Sequence, residues 1–429
     1  MQHYLRTTNS TASGIFMIVV AITGIASADW PQFQGPARNG FSPEAGIARS
    51  WPEGGPREIW SASVGEGFGS ASIRDGEVYI LDRESGVRDI LRCFSLDTGE
   101  ELWRYAYEAP RKVSYPGSRT TPMVTEKYVY TVGVMGNLYC IDRKTHRPVW
   151  NHNLVDKFSM RGIPNWGVSQ APSVYKDLVI VAPQSPTSAV AAFNRHNGEL
   201  VWSSPGIAGL GYVSPVVTTL HGVDQVVMFN PAGRREPGTV FGVSVEDGSV
   251  LWKYSDWVCR IPIPFPTILD DNRVFITGGY GAGSTLFEVI KTGEGFDTKE
   301  LFSTMEFGSQ IHQPLLIDGV LYGNSNSNGE KHGMACLALD GTLNWRTKDT
   351  KGLPRFDFGN LISVDGLILN LEGRKGSLHL IEPSPDGYKE LARAQILDGT
   401  KMWAPMAFSD GKLVLRSQSE MKCLDLRNP

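Results

Sequence analysis

The sequence predicts an all-β chain folded as an eight-bladed β-propeller of four-stranded antiparallel blades, and three observations carry that expectation. A strand-turn-strand unit recurs along the chain, its copies keep a nearly constant period, and the two chain ends hold complementary parts of one unit.

The unit is clearest in LRCFSLDTGEELW, which ends at Trp103. It returns as LYCIDRKTHRPVW ending at Trp150, AAFNRHNGELVW at Trp202, FGVSVEDGSVLW at Trp252 and CLALDGTLNW at Trp345. Each copy alternates apolar and polar residues with period two, passes a polar turn, and reaches a second short strand bearing the tryptophan, which is the spacing of strands and not of a helix. Gly99, Gly198, Gly248 and Gly341 stand four residues before their tryptophans. A tight turn with a left-handed residue at that point suits glycine, and His146 fills the slot once. Gly387 before Leu391 and the irregular hairpin closing at Phe302 supply weaker copies.

Outer-strand landmarks at Trp60, Trp103, Trp150, Trp202, Trp252, Phe302, Trp345 and Leu391 are then separated by 43 to 52 residues. That is the length of a four-stranded blade. The first landmark, Trp60, has no strands before it, whereas TKMWAPMAFSDGKLVLRSQSEMKCLDL at the other end supplies three strands and no fourth. Joining the ends completes an eighth blade and leaves no open sheet edge. Seven blades is the alternative if the region from Ile263 to Met305 is not a blade.

Within each repeat the first two strands form a hairpin, with Asp-Gly turns at Asp75-Gly76, Asp318-Gly319, Asp365-Gly366 and Asp410-Gly411, and with Lys176-Asp177 or Asp271-Asn272 elsewhere. The segments before these hairpins enter the innermost strands and so belong at the rim of the central channel. They read GEGFGSAS, PGSRTTP, NWGVSQAP, GLGYVSP, RIPIPFP, GSQIHQP, RFDFGN and TKMWAP. From them come Arg119, Asn165, Trp166, Gln170, Tyr212, Gln310, His312, Arg355, Asp357, Lys401 and Trp403, scattered over six repeats and gathered only if the ring closes. Aromatic faces with amide and guanidinium donors suit a sugar, a peptide or an anionic small molecule in the channel mouth. His312 has no second histidine or carboxylate at metal spacing, so no metal ligand is assigned. The repeat tryptophans Trp103, Trp150, Trp202, Trp252 and Trp345 are read as buried spacers that dock over a turn and against the neighbouring blade.

Composition narrows the setting. Charged residues make up 20% and hydrophobic residues 41%, with 47 glycines and 26 prolines, as befits a folded, turn-rich chain. The first 28 residues hold one arginine and no acid, an apolar run from Gly14 to Ile25, and the small-residue site Ala26-Ser27-Ala28. They are read as a secretory signal peptide cleaved after Ala28, which places the protein in the periplasm or otherwise outside the cytoplasm with no membrane span. The propeller domain then runs from 29 to 429, and the arm DWPQFQGPARNGFSPE precedes it as a polar, proline-rich segment. Net charge is −4 for the whole chain, a poor match to nucleic acid. Five cysteines occur, and Cys93, Cys140, Cys336 and Cys423 hold one place in the third strand of different repeats, where Ala191 or Gly242 stands elsewhere. They are expected as small buried residues too far apart to bridge. None are adjacent or two apart, so zinc and covalent haem patterns are absent.

The repeated L-Y-x-x-D-x-x-T-G-x-x-x-W pattern resembles the PQQ-like repeat of quinoproteins and of the assembly lipoprotein BamB, over nearly all of Asp29 to Pro429. The opening Trp30 to Gly40, WPQFQGPARNG, is similar to the arm of exported bacterial members of that group. The resemblance implies a propeller and leaves function to the site. A quinoprotein alcohol dehydrogenase would hold PQQ on the axis over a tryptophan, here Trp166 or Trp403, capped by neighbouring cysteines that this chain lacks. Its calcium and base would call on Asp357, and its carboxylate contacts on Arg119 or Arg355. BamB-type resemblance implies instead a scaffold for an envelope protein, without the lipid-attachment cysteine. The sequence reading is a monomeric, non-catalytic ligand- or protein-binding module with no cofactor, and the PQQ and calcium dehydrogenase is its alternative.

Overall fold

The computed structural model describes residues 29–428 except 207–208, 233–236, 294 and 327–331. The expected signal peptide and its cleavage site therefore lie outside the described residues. Among these residues the chain forms eight four-stranded antiparallel sheets in sequence order, one of which gains a fifth, parallel strand. Blade 1 comprises Ser72–Arg74, Glu77–Glu84, Arg88–Ser95 and Glu101–Glu108, and blades 2 to 7 follow over 123–153, 173–203, 216–254, 267–304, 315–346 and 361–395. The region that left seven blades open folds as a full blade of Thr267–Ile268, Arg273–Gly278, Gly283–Lys291 and Phe296–Thr304. Blade 8 takes three strands from 407–425, and its outer strand, Arg57–Ser63, comes from the other end of the chain. Trp60 pairs with Cys423 and Ser63 with Glu420, so the ring closes as the chain ends imply.

The repeat follows from how indole and glycine meet between blades. Trp202 of blade 3 lies so close to Gly248 of blade 4 that a β-carbon there would stand 2.6 Å from the ring. The same holds for Trp60 over Gly99 at 2.6 Å, Trp150 over Gly198 at 2.7 Å and Phe302 over Gly341 at 2.8 Å. These glycines also take positive φ, between 71° and 89°, so close approach and backbone conformation demand glycine together. At His146 (φ 58°) the imidazole instead lies flat on Trp103, with ring centroids 4.5 Å apart. Gly387 departs from the pattern, since its φ is not in the left-handed region and nothing packs within 4 Å of its would-be β-carbon. The indole N–H groups of Trp60, Trp150, Trp202 and Trp345 donate to carbonyls of the following blade, namely Leu96, Arg195, Val245 and Ser384.

Small residues face the tryptophans across the sheet. Cys93, Cys140, Cys336 and Cys423 pair with Trp103, Trp150, Trp345 and Trp60, and all five cysteines are free and buried. Gly242 holds the same place against Trp252, and in blade 3 the residue is Ala192, one position on from the expected Ala191.

The N-terminal arm is interior, contrary to its polar composition. Trp30 and Gln34 are fully buried, and the arm threads the turn side of the channel. Trp30 bridges Ile73 of blade 1, Pro31 accepts from the Val124 N–H of blade 2, and Arg38 donates to the Pro172 carbonyl beside blade 3. Across the channel Phe33 meets Phe265 edge to face at 5.4 Å, and Phe41–Ser42 adds a parallel strand to Ser363–Val364 of blade 7. The Glu44 carboxylate then caps the hairpin of blade 8, accepting from Asp410 and Gly411 N–H at 2.9 and 2.8 Å. Pro, Gly and two left-handed non-glycine residues, Gln34 (φ 63°) and Arg38 (φ 53°), bend the arm tightly enough to fit.

Blade 7 buries a charged cluster. His379 lies between Glu372 (3.1 Å) and Glu390 (2.7 Å), and Tyr388 donates to the same Glu390 oxygen at 2.7 Å. Burial opposes the imidazolium, but hydrogen bonds and charge from Glu372 and Glu390 outweigh it and raise the His379 pKa; His379 in turn lowers both carboxyls against their own burial. A raised histidine pKa stabilises the fold below about pH 6.5 and loses that effect as pH rises through the folded value, while depressed carboxyls stabilise above about pH 4.5 and lose it as pH falls. The cluster is thus strongest between these limits. His379→Gln should cost about 1 to 3 kcal/mol near pH 6 and flatten the dependence of Tm on pH above that, measured by thermal melts from pH 5 to 8. An unchanged pH profile would show that the cluster does not titrate with folding.

Candidate active-end pocket of the channel

At the rim opposite the hairpin turns the channel opens into a pocket of about 220 Å³, lined by residues of all eight blades and of the arm. Blade 1 contributes Phe68, blade 2 Tyr115 and Arg119, blade 3 Trp166, Ser169 and Ala171, and blade 4 Tyr212 and Ser214. Ile263 and Tyr280 come from blade 5, Gln310, Ile311 and His312 from blade 6, Phe358 from blade 7, and Trp403 and Pro405 from blade 8. Phe33 of the arm lines it as well, so the pocket ends on the segment that plugs the channel from the other side.

Local sequence explains the close assembly. Each contributing segment enters an innermost strand, and glycines let neighbouring segments touch. A β-carbon at Gly69 would stand 2.3 Å from the Thr120 carbonyl, so only glycine brings the Phe68 segment against the Arg119 segment. A β-carbon at Gly279 would likewise crowd Gln310 at 2.6 Å, and the Gln310 amide donates to the Tyr280 hydroxyl at 3.0 Å.

The rings form two groups. Trp403 stacks on Phe68 at 5.4 Å, tilts against Tyr115 at 5.7 Å and meets Phe358 edge to face at 5.2 Å. Trp166 packs on Tyr212 at 4.9 Å. Arg119 lies 5.4 Å over the Phe68 ring and donates to the carbonyls of Gly117 (2.7 Å), Ser114 (2.7 Å) and Tyr115 (2.5 Å). Burial lowers its pKa to about 10, and its electrostatic neighbours are Tyr212 and Arg83, with no carboxylate among them. His312 is 5% exposed and neither ring nitrogen has a hydrogen-bond partner of good geometry. Its burial drives the pKa down to about 4, against a weaker opposing effect of the Trp403 and Phe358 backbone, so the imidazole is neutral at pH 7.

Six of the eleven residues nominated from sequence therefore line one pocket: Arg119, Trp166, Tyr212, Gln310, His312 and Trp403. Five stand outside the lining. Gln170 is buried and spends its amide on Gln184 (2.7 Å) and the Gly211 carbonyl (2.8 Å), tying blade 3 to blade 4. Asn165 is exposed and meets Ser114, and Arg355 is exposed to solvent. Asp357 takes a left-handed turn (φ 52°) and its carbonyl accepts from Asn326. Lys401 is exposed, with its ammonium 5.1 Å over the outer Tyr115 ring. The residues chosen from sequence included three lining aromatics, Trp166, Tyr212 and Trp403, and left out the rest of the apolar lining. Phe68 and Phe358 stood in the rim segments themselves, whereas Tyr280 comes from the loop between the second and third strands of blade 5, and nothing in the sequence of the arm placed Phe33 in the channel.

A family model described as outer membrane protein assembly factor BamB matches residues 87–347, more than half of the chain. The chain belongs to that PQQ-like β-propeller family. Among solved structures, BamB from Moraxella catarrhalis aligns with a TM-score of 0.60 at 13% identity, covering 87% of this chain and 98% of that one. Quinohemoprotein alcohol dehydrogenase ADHIIG from Pseudomonas putida HK5 aligns with a TM-score of 0.60 at 12% identity, covering 93% of this chain and 80% of that one. At such identities these likenesses concern the fold. Quinoprotein alcohol dehydrogenase PedH of Pseudomonas putida is 24% identical over 204 residues, which is 43% of this chain and 31% of the length of that relative.

The pocket of this PQQ-like propeller does not fit a PQQ and calcium centre. No aspartate or glutamate lines it, and among the described residues no three histidine, cysteine or carboxylate side chains cluster to hold a metal ion. The lining thus supplies no carboxylate, either to balance the charge of a calcium ion or to act as a base. The cysteines lie in separate places, with none adjacent to another.

Proposed function

We propose that this PQQ-like propeller is an exported, non-catalytic binding module that holds a compact ligand with a planar apolar part in the blind end of its channel. The observation that carries the reading is the assembly of Phe68, Trp403, Phe358, Trp166 and Tyr212 from five blades around a space floored by Phe33. Burying a flat ring among such side chains is favourable by area and by stacking geometry. The signal-like first 28 residues support export to the periplasm.

The family match supports a second reading, in which the blade surfaces contact an envelope protein as a scaffold. Thermal shifts and tryptophan-fluorescence titrations with a panel of uncharged and charged aromatic compounds separate the two. Binding should weaken about ten-fold in Trp403→Ala, a loss of about 1.4 kcal/mol. Phe33→Ala should weaken it comparably by opening the floor, with some loss of stability from the arm's seat against Phe265. If no compound shifts the melt, and an envelope protein co-purifies equally with wild type and Trp403→Ala, the scaffold reading stands and the pocket reading fails.

A further inference from the structure

We infer that the ligand of this pocket is a compact aromatic carboxylic acid whose carboxylate meets Arg119; this rests on the binding-module reading above. Arg119 is the one charged residue in a lining of seventeen. Its hydrogen bonds to the Gly117, Ser114 and Tyr115 carbonyls satisfy donors and fix the guanidinium in place, but carbonyl dipoles leave its unit charge uncompensated. Arg119 is half-buried, and a charge partly withdrawn from water gains from a counter-charge. Within the lining nothing supplies one: carboxylates are missing, and His312 is enclosed and uncharged. A cationic ligand would add to the imbalance, whereas an anion cancels it.

The positions agree with the sign. Arg119 lies over Phe68, and Phe68 stacks on Trp403, so a ring resting among these aromatics has the guanidinium at its edge. The Tyr115 whose carbonyl holds Arg119 carries the Lys401 ammonium 5.1 Å over its ring, which adds positive potential on the same side of the mouth. Tyr212 lines the same pocket and brings a phenolic hydroxyl able to donate to an anion there. A volume of about 220 Å³ has room for a fused ring with a short acid chain and not for an extended polymer. Because the guanidinium is already held by three carbonyls, little side-chain freedom is lost on binding, and a charge-assisted hydrogen bond in a pocket this apolar discriminates strongly.

The test uses a matched pair on the full folded chain, indole-3-acetate against indole-3-acetamide, titrated by calorimetry at pH 7 in low salt. The acid is expected to bind about ten-fold or more tightly than the amide, with the difference shrinking as salt is raised. In Arg119→Met the preference should vanish while amide binding persists, and Arg119→Lys should keep part of it. Equal binding of acid and amide by wild type would overturn the inference, leaving Arg119 a staple of its own loop and the pocket reading intact. Failure of both to bind at millimolar concentration would overturn the inference, and the pocket reading would fall with it if the uncharged panel also gives no thermal shift. The wild-type comparison decides the matter even if the Arg119→Met loop misfolds.

Discussion

Replacing Trp202 by alanine is expected to destabilise the propeller by about 3 to 5 kcal/mol, as for other large-to-small substitutions of buried aromatics. The indole is 7% exposed, donates to the Val245 carbonyl of the next blade at 2.7 Å, and fills the space above Gly248 that a β-carbon would close to 2.6 Å. Its removal therefore opens a cavity between blades 3 and 4 and leaves a carbonyl without its donor. Trp103→Ala should cost less, because the Trp103 N–H has no partner and its ring lies against the imidazole of His146 and not over a glycine. Gly248→Ala tests the same contact from the other side and adds strain at φ 74°. Chemical denaturation followed by circular dichroism gives all three values, and a loss under about 1 kcal/mol for Trp202→Ala would remove the indole from its role as the coupling between blades.

Arg416→Met is expected to cost a similar 3 to 5 kcal/mol, for an electrostatic reason. The Arg416 and Asp82 side chains are 2% and 1% exposed and meet at 3.0 Å across the seam between blades 8 and 1. Arg416 also donates to the carbonyls of Gly65 and Ser417, and a β-carbon at Gly67 would press on its guanidinium at 2.9 Å. Asp82 further accepts from Arg92 (3.0 Å) and the Gly65 N–H (2.8 Å). Losing the arginine leaves a buried carboxylate with only part of its compensation. Asp82→Asn should be comparably damaging, and the double variant should cost clearly less than the sum, which a double-mutant cycle measures. Because Gly67 precedes Phe68, ligand binding should weaken along with stability. Additive losses would show that the two groups do not act as a pair.

The propeller was legible because its evidence is repeated. Period-two alternation, the glycine four residues before each tryptophan and the Asp-Gly hairpins each recur, so a defect such as His146 or Phe302 does not hide the pattern. Both residues at those Asp-Gly turns take positive φ, as at Asp365 (52°) and Gly366 (71°). The pocket was legible only in position. The topology names the segments that reach the rim, and the aromatics chosen there, Trp166, Tyr212 and Trp403, reach the pocket, whereas chosen polar side chains such as Arg355, Asn165 and Lys401 turn to water. In RFDFGN the aspartate drew notice, yet the second phenylalanine, Phe358, turns into the pocket. The arm was illegible for a different cause. It has no periodicity, since its contacts are made one residue at a time to successive blades, and its prolines and glycines read as loop while its geometry is that of a plug.

The seam has a consequence for the order of events in folding. Strand Arg57–Ser63 finds its sheet only in residues 407–425, and the segment from Trp30 to Glu44 needs partners in nearly every blade. A ribosome makes strand Arg57–Ser63 more than three hundred residues before the strands that receive it. Trp30 and Pro31 can seat on blades 1 and 2 early, but strand Arg57–Ser63 must wait, unpaired, until residues 407–425 are made, and contacts so distant along the chain form slowly. Until residues 407–425 are made the molecule would hold seven finished sheets and an unsealed ring, which makes the strands of blade 8 the step that commits it to its native state.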